Sequence, residues 1–191
     1  GSPGSTPGVI SVAQTQVPSA GQIPLTINSP AAIAGDYLNT ETVDWAPIDA
    51  TVTGDVVFVG RGCPGIDNYP AGVDLTDKIA LIDRGACAVS LKIDRAAKAG
   101  AKGVLFGLVA PGNAVSFSFG GGDTFVPTLV IIQSYANLIK ANLGVGVNVT
   151  ISPDNAIPLI GNLVNSSSRG PSFSNDAIKP EIGAPGASLS A

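Results

Sequence analysis

Apolar residues along this chain come in short bursts, each broken by glycine or proline. The first burst, Val9–Ala13, follows a turn-rich GSPGSTPG and reads as a buried strand. Ile23, Leu25 and Ile27 then alternate with polar neighbours, the period of a half-buried strand. Asp55–Val59 and Ile79–Ile82 are apolar runs of strand length, the second turned by Asp83-Arg84-Gly85. From Val89 the period changes. Val89, Ile93, Ala96, Ala97 and Gly100 fall on one side of a helix, and Lys92, Asp94, Arg95 and Lys98 lie mostly on the other. The spacing predicts a helix over Val89–Ala99, supported by an Asp94–Lys98 pair and stopped by Gly100 and Gly103. Val104–Phe106 resumes as a strand, so strand, helix and strand follow within about 30 residues, as in a βαβ crossover. Val126–Ile132 is a further strand. Ser134 is placed to cap a second helix over Tyr135–Leu143, ended by Gly144. Val145–Ile151 alternates, with Val145, Val147, Val149 and Ile151 on one face; Leu159–Leu163 is one more strand beyond a linker at 153–158.

The pattern therefore predicts a mixed α/β domain. Its 191 residues, 45% hydrophobic and 13% charged, suffice for a core and argue against disorder. The mean hydropathy of +0.36 raises the question of a membrane. The apolar runs, however, fall far short of the ~20 residues a spanning helix needs. A net charge of −4 without a basic run argues against nucleic acid, and no basic amphipathic helix argues for a membrane surface. No targeting segment opens the chain, which reads as a mature or internal portion. The Ser/Gly/Pro texture of residues 1–8 returns after residue 163, which suggests a central domain spliced into a host whose broken pieces are the two ends. Those ends are expected to pair with each other or with the central sheet.

Candidate chemistry is sparse. The chain has no histidine, which excludes a serine–histidine pair within it. Ser168 or Ser174 with Lys179 is a weak Ser–Lys candidate with nothing to fix its geometry. Gly120-Gly121-Gly122 lacks the Gly-Lys-Ser/Thr ending of a phosphate loop and reads as a turn. Asp67, Asp74, Asp77 and Asp123 stand at no calcium-loop spacing, and two cysteines without histidine make no zinc pattern. No metal or cofactor is expected. Asn148-Val-Thr150 and Asn165-Ser-Ser167 are glycosylation sequons. Cys63 and Cys87 flank a Gly/Pro-rich loop. In an oxidising compartment they pair, and the alternative is two unrelated buried thiols. Asp83-Arg84-Gly85 is either a plain turn or part of a rim that contacts a peptide or the host domain.

Two resemblances then emerge from the residues themselves. SSRGPSFSNDAIKPEIGAPGASLSA, from Ser167, closely resembles the segment of subtilisin-like serine peptidases just upstream of their Gly-Thr-Ser-Met-Ala motif. GSPGSTPGVISVAQT resembles the strand after that family's oxyanion asparagine. Between them, DLTDKIALIDRGACAVSLKIDRAAKAGAKGVLF (Asp74–Phe106) and FVPTLVI (Phe125–Ile131) resemble the protease-associated (PA) domain inserted in larger subtilases. Ala88 departs from the family, where an aromatic residue often stands. The resemblance implies a PA-type β-barrel-like sheet with two helices, of swivelling β/β/α type, at 24–152. Pieces of a subtilisin-like catalytic domain would occupy 1–17 and 159–191. It implies a secreted or cell-surface peptidase as parent, with the catalytic triad outside this chain and the fragment itself inactive. The central domain would modulate substrate access or bind peptide or protein segments, its partners being the parent catalytic domain and a polypeptide substrate. A non-enzymatic PA-containing receptor module is the rival reading.

Overall fold

A computed structural model gives the fold and describes residues 10, 12–15, 21–159 and 182–185. In chain order the elements are β1 (Val12–Thr15), β2 (Gly21–Gln22), β3 (Leu25–Ser29), β4 (Gly35–Tyr37), β5 (Thr40–Thr42), β6 (Val52–Phe58) and β7 (Ile79–Asp83). There follow α1 (Val89–Lys98), β8 (Gly103–Gly107), β9 (Thr128–Ile131), α2 (Gln133–Asn142), β10 (Asn148–Ile151), β11 (Ile157–Pro158) and β12 (Ile182–Pro185). The chain divides into two units, one made of 1–21 with 157–191 and the other of 22–156. In the first, β1 and β12 pair in parallel, Val12 opposite Ile182, so the two ends of the polypeptide do meet in a ladder.

The second unit is built on an eight-stranded sheet of order β4-β3-β10-β6-β7-β8-β9-β5. Strands β6 to β9 run parallel, and antiparallel pairs flank them on both sides. The outermost strands β4 and β5 are joined by two residues, Leu38 and Asn39. From Tyr37 to Thr40 the chain makes three steps, which reach at most about 11 Å. The sheet must therefore curl until its edges approach, and Asn39 makes the turn with φ of 61°.

Curling creates two apolar layers. Strand β7 feeds both: Ile79 and Leu81 point into one and Ala80 and Ile82 into the other, all buried. The first layer holds Leu25, Ile27, Leu105, Leu129 and Ile131 with Ala136 and Ile139 of α2. The second holds Val104, Phe106 and Val130 with Val89, Ile93 and Ala96 of α1. Helix α1 ends as its sequence suggests: Gly100 takes φ of 97°, its N–H reaches the Ala97 carbonyl, and the Ala101 N–H reaches the Ala96 carbonyl.

Three expectations need correction. Lys92 does not lie on a solvated face; it is fully buried. The second helix starts at Gln133 with Ile132 at the cap position and no side-chain cap, so Ser134 does not cap it. Here β9 runs straight into the helix, and packing of Ala136 and Ile139 sets its start in place of capping. Val145 leaves the alternating face: it ends a 3-10 turn, is 75% exposed, and the strand begins at Asn148 after Gly146 reverses the chain with φ of 86°. The expected strand Leu159–Leu163 and the segment from Asn165 to Lys179 lie outside the described residues, apart from Leu159.

Candidate functional site

The parallel strands β6 to β8 end at one rim, and Asp83-Arg84-Gly85 closes β7 there. The structure gives the three residues different work. The Asp83 carboxylate is taken internally: Lys140 Nζ of α2 donates to both its oxygens, at 2.6 and 2.8 Å. The same ammonium lies 4.5 Å from the centre of the Phe58 ring. The Asp83 carbonyl accepts a 2.6 Å hydrogen bond from Lys92 Nζ, which also faces the Phe106 ring at 5.8 Å. Burial pushes the Lys92 ammonium down to about 8, against the favourable charges of Asp67 and Asp83. Arg84, by contrast, is exposed. Its backbone N–H donates to the Gly107 carbonyl, and its guanidinium stacks 5.2 Å above the Phe117 ring.

Gly85 and Ala86 take φ of 122° and 72°, and lead into Cys87. Cys87 is joined to Cys63 by a disulfide. The bridge clamps the loop after β6 against the start of α1. Arg61 Nη2 donates to Asp67 at 2.7 Å, and the other Asp67 oxygen accepts from the Cys63 N–H. Arg95 of α1 donates to the carbonyls of Cys63 and Asp67 and stacks 4.0 Å above the Tyr69 ring. The Arg61 contact holds the Asp67 carboxyl below the usual range. The Tyr69 hydroxyl is buried with no partner among the described residues.

The third wall is the segment from Leu108 to Pro127, which side chains fasten along its length. Trp45 Nε1 donates to the Phe117 carbonyl, Ser116 Oγ to the Thr42 carbonyl, and Asn39 holds Asn113 and the Ala114 N–H. Ser90 Oγ accepts from the Gly120 N–H. Asp94 accepts from the N–H groups of Asp123 and Thr124, which, with Lys98, holds its carboxyl down to about 2. Sequence periodicity gave no hint of this segment, because its order comes from distant side chains and not from a repeating pattern.

The geometry matches known proteins. The protein-family profile described as "PA domain" matches residues 44–139, half of the chain. The chain belongs to the PA domain family. Across 193 aligned residues it is 30% identical to "Minor extracellular protease Vpr" of Bacillus subtilis (strain 168), an alignment that takes in 99% of this chain and 22% of that protein. Among solved structures it is similar to an aminopeptidase from Aneurinibacillus sp. strain AM-1, with a TM-score of 0.56 and 27% identity over 78% of this chain and 34% of that one. A zinc aminopeptidase from Bacillus subtilis, BSAP, shares the fold at 20% identity and a TM-score of 0.51, over 78% of this chain and 35% of that one. The PA chain thus spans between about a fifth and a third of the proteins it matches.

Within this PA domain the remaining candidates take structural roles. The triple glycine passes over α1 at close range: a Cβ on Gly120 would stand 2.5 Å from that of Ala88, and one on Gly122 2.8 Å from that of Asp94. Ala88 is small, and the Gly120 strap lies directly against it. Asp74 caps its own turn through the Thr76 N–H, Asp77 sits at φ of 58°, and Asp123 pairs with Lys98. Among the described residues no three acidic, histidine or cysteine side chains converge on one point. The Asn148 side chain of the first sequon donates to Asp55, and Asn165, Ser168, Ser174 and Lys179 lie outside the described residues.

Proposed function

We propose that this chain is the PA domain of a secreted subtilisin-like serine endopeptidase, spanning 24–152 and flanked by pieces of the catalytic domain at 1–17 and 159–191. The observation that carries this reading is the alignment with an extracellular protease over 99% of the chain, because it takes in the flanks as well as the PA unit. The subtilase-like segments at both ends and the Cys63–Cys87 bridge, stable in an oxidising compartment, support it. We read the curled sheet, with its edges joined through Leu38–Asn39, as the barrel-like swivelling β/β/α form. In this reading the Asp83-Arg84-Gly85 rim faces polypeptide, either substrate or the parent's own catalytic domain, and tunes which substrates reach the triad. Hydrolysis itself belongs to groups elsewhere in the parent: a serine attacks, a histidine takes its proton, an aspartate orients that histidine, and an asparagine steadies the oxyanion.

The test compares the parent enzyme with a form in which residues 22–156 are replaced by a short linker. Cleavage of a small chromogenic peptide should persist while the ratio of protein to small-peptide cleavage shifts. The 191-residue chain alone should cleave neither. An unchanged ratio, or hydrolysis by the chain that survives repurification, overturns the reading.

A further inference from the structure

We propose that Arg84, with Phe117, Phe119 and Val115, forms a docking surface for an extended polypeptide segment that carries an acidic side chain beside a large apolar one. The proposal rests on the reading of this unit as polypeptide-facing and specifies what it takes. The charge argument starts from the neighbours. Arg61, Lys78, Lys98 and Lys140 each hold a carboxylate within ion-pair distance. Arg84 holds none among the described residues, yet it is exposed and its guanidinium lies 5.2 Å from the centre of the Phe117 ring. Its backbone is held by the Gly107 carbonyl, and the preceding carbonyl by buried Lys92. An open cation on a rigid mount suits a carboxylate, since little order is lost on binding.

Beside it stands apolar surface that the fold holds outward. Phe119 is 57% exposed and Val115 44% exposed. Neither is adrift: Trp45 fixes the Phe117 carbonyl, Ser116 bonds to Thr42, and Phe119 meets Trp45 and Phe125 edge-on at 6.4 and 6.0 Å. Phe117 and Phe119 are alternate residues, at most about 7 Å apart along the backbone. That spacing matches side chains two apart on one face of an extended segment. Recognition here runs through side chains, because the carbonyls of edge strand β5 are already taken: Thr40 by Gln22 Nε2 and Thr42 by Ser116 Oγ. Strand addition at that edge would have to compete with these side chains for its acceptors.

The experiment uses the 191-residue chain and fluorescein-labelled decapeptides, Gly/Ser-rich with one Glu-Ser-Phe, read by fluorescence anisotropy. Controls carry Gln for Glu or Ser for Phe. The acidic-aromatic peptide should bind saturably, with about three- to tenfold weaker affinity for Arg84→Gln and about tenfold weaker for Phe119→Ser. Arg84→Lys should recover part of the loss, and Lys78→Gln should change nothing. Thermal melts confirm that each variant folds. Saturable binding that ignores Arg84→Gln and Phe119→Ser overturns this surface and leaves the polypeptide-facing reading intact. Failure of all peptides up to millimolar concentration overturns this surface, while the polypeptide-facing reading is decided separately by the cleavage ratio of the parent enzyme. Self-association or polysaccharide binding abolished by the same substitutions assigns the patch to another occupant and also overturns the proposal.

Discussion

Replacing Lys92 by methionine should change how stability depends on pH. The wild-type ammonium is buried between α1 and the end of β7, with one hydrogen bond to the Asp83 carbonyl and the Phe106 ring nearby. Burial brings it down from 10.5 to about 8 in the folded protein. Below pH 8 the folded and unfolded chains both hold the proton, and the folded state bears the full cost of a buried charge. Between pH 8 and 10.5 the folded state releases the proton while the unfolded chain retains it. Raising the pH through that window therefore stabilises the wild type. For a shift of this size the linkage relation gives a gain of about 2 kcal/mol between pH 7 and 9.5, and about 1 kcal/mol once dielectric relaxation is allowed for. Methionine keeps the volume and removes the titration, at the cost of leaving the Asp83 carbonyl without its donor. Urea unfolding at pH 7, 8.5 and 9.5, followed by the fluorescence of the sole tryptophan, Trp45, measures both proteins. Both cysteines are in the disulfide, so thiol exchange does not intrude. The wild type should gain on Lys92→Met by about 1–2 kcal/mol across the range. A difference that stays flat, or that moves the other way, refutes the account of Lys92 as a charge held at a cost.

Other consequences are as direct. Replacing both Cys63 and Cys87 by serine opens a loop of about 25 residues and should cost about 3.5 kcal/mol by the chain-entropy relation, read from the urea midpoint. Asp94→Ala removes the oxygen that accepts from the Asp123 and Thr124 N–H groups and should free that turn, seen as faster hydrogen exchange there. Because the wild-type carboxyl sits at about 2, its contribution is present above pH 4 and lost as the pH falls from 4 towards 2. That acid-dependent loss should vanish in the variant, and retained protection of Thr124 would contradict the role given to Asp94. Gly107→Ala brings a Cβ to 2.9 Å from Ala136, so α2 must lift from β8; a loss of about 1–3 kcal/mol is expected, and a neutral result would show the contact to be slack.

The local pattern was enough to determine the crossover and its family. Ile79–Ile82, the amphipathic stretch from Val89 and the glycine stop at Gly100 appear in the structure as β7, α1 and its cap, because each depends on residues close in sequence. Alternation at Leu25 and Ile27 likewise marked β3, since a strand with one buried face shows a period of two. Other features were invisible for a physical reason: they depend on what lies across space. The short strands β4 and β5 carry no apolar signature, because edge strands of three residues are held by their neighbours' ladders. Lys92 looked solvated because helical spacing shows a direction and not what fills it, and here the direction is occupied by the Asp83 carbonyl and Phe106. Only the tertiary structure separated the members of Asp83-Arg84-Gly85. A carboxylate is spent or available according to whether a cation such as Lys140, fifty-seven residues away, arrives beside it, and nothing in the local sequence encodes that meeting.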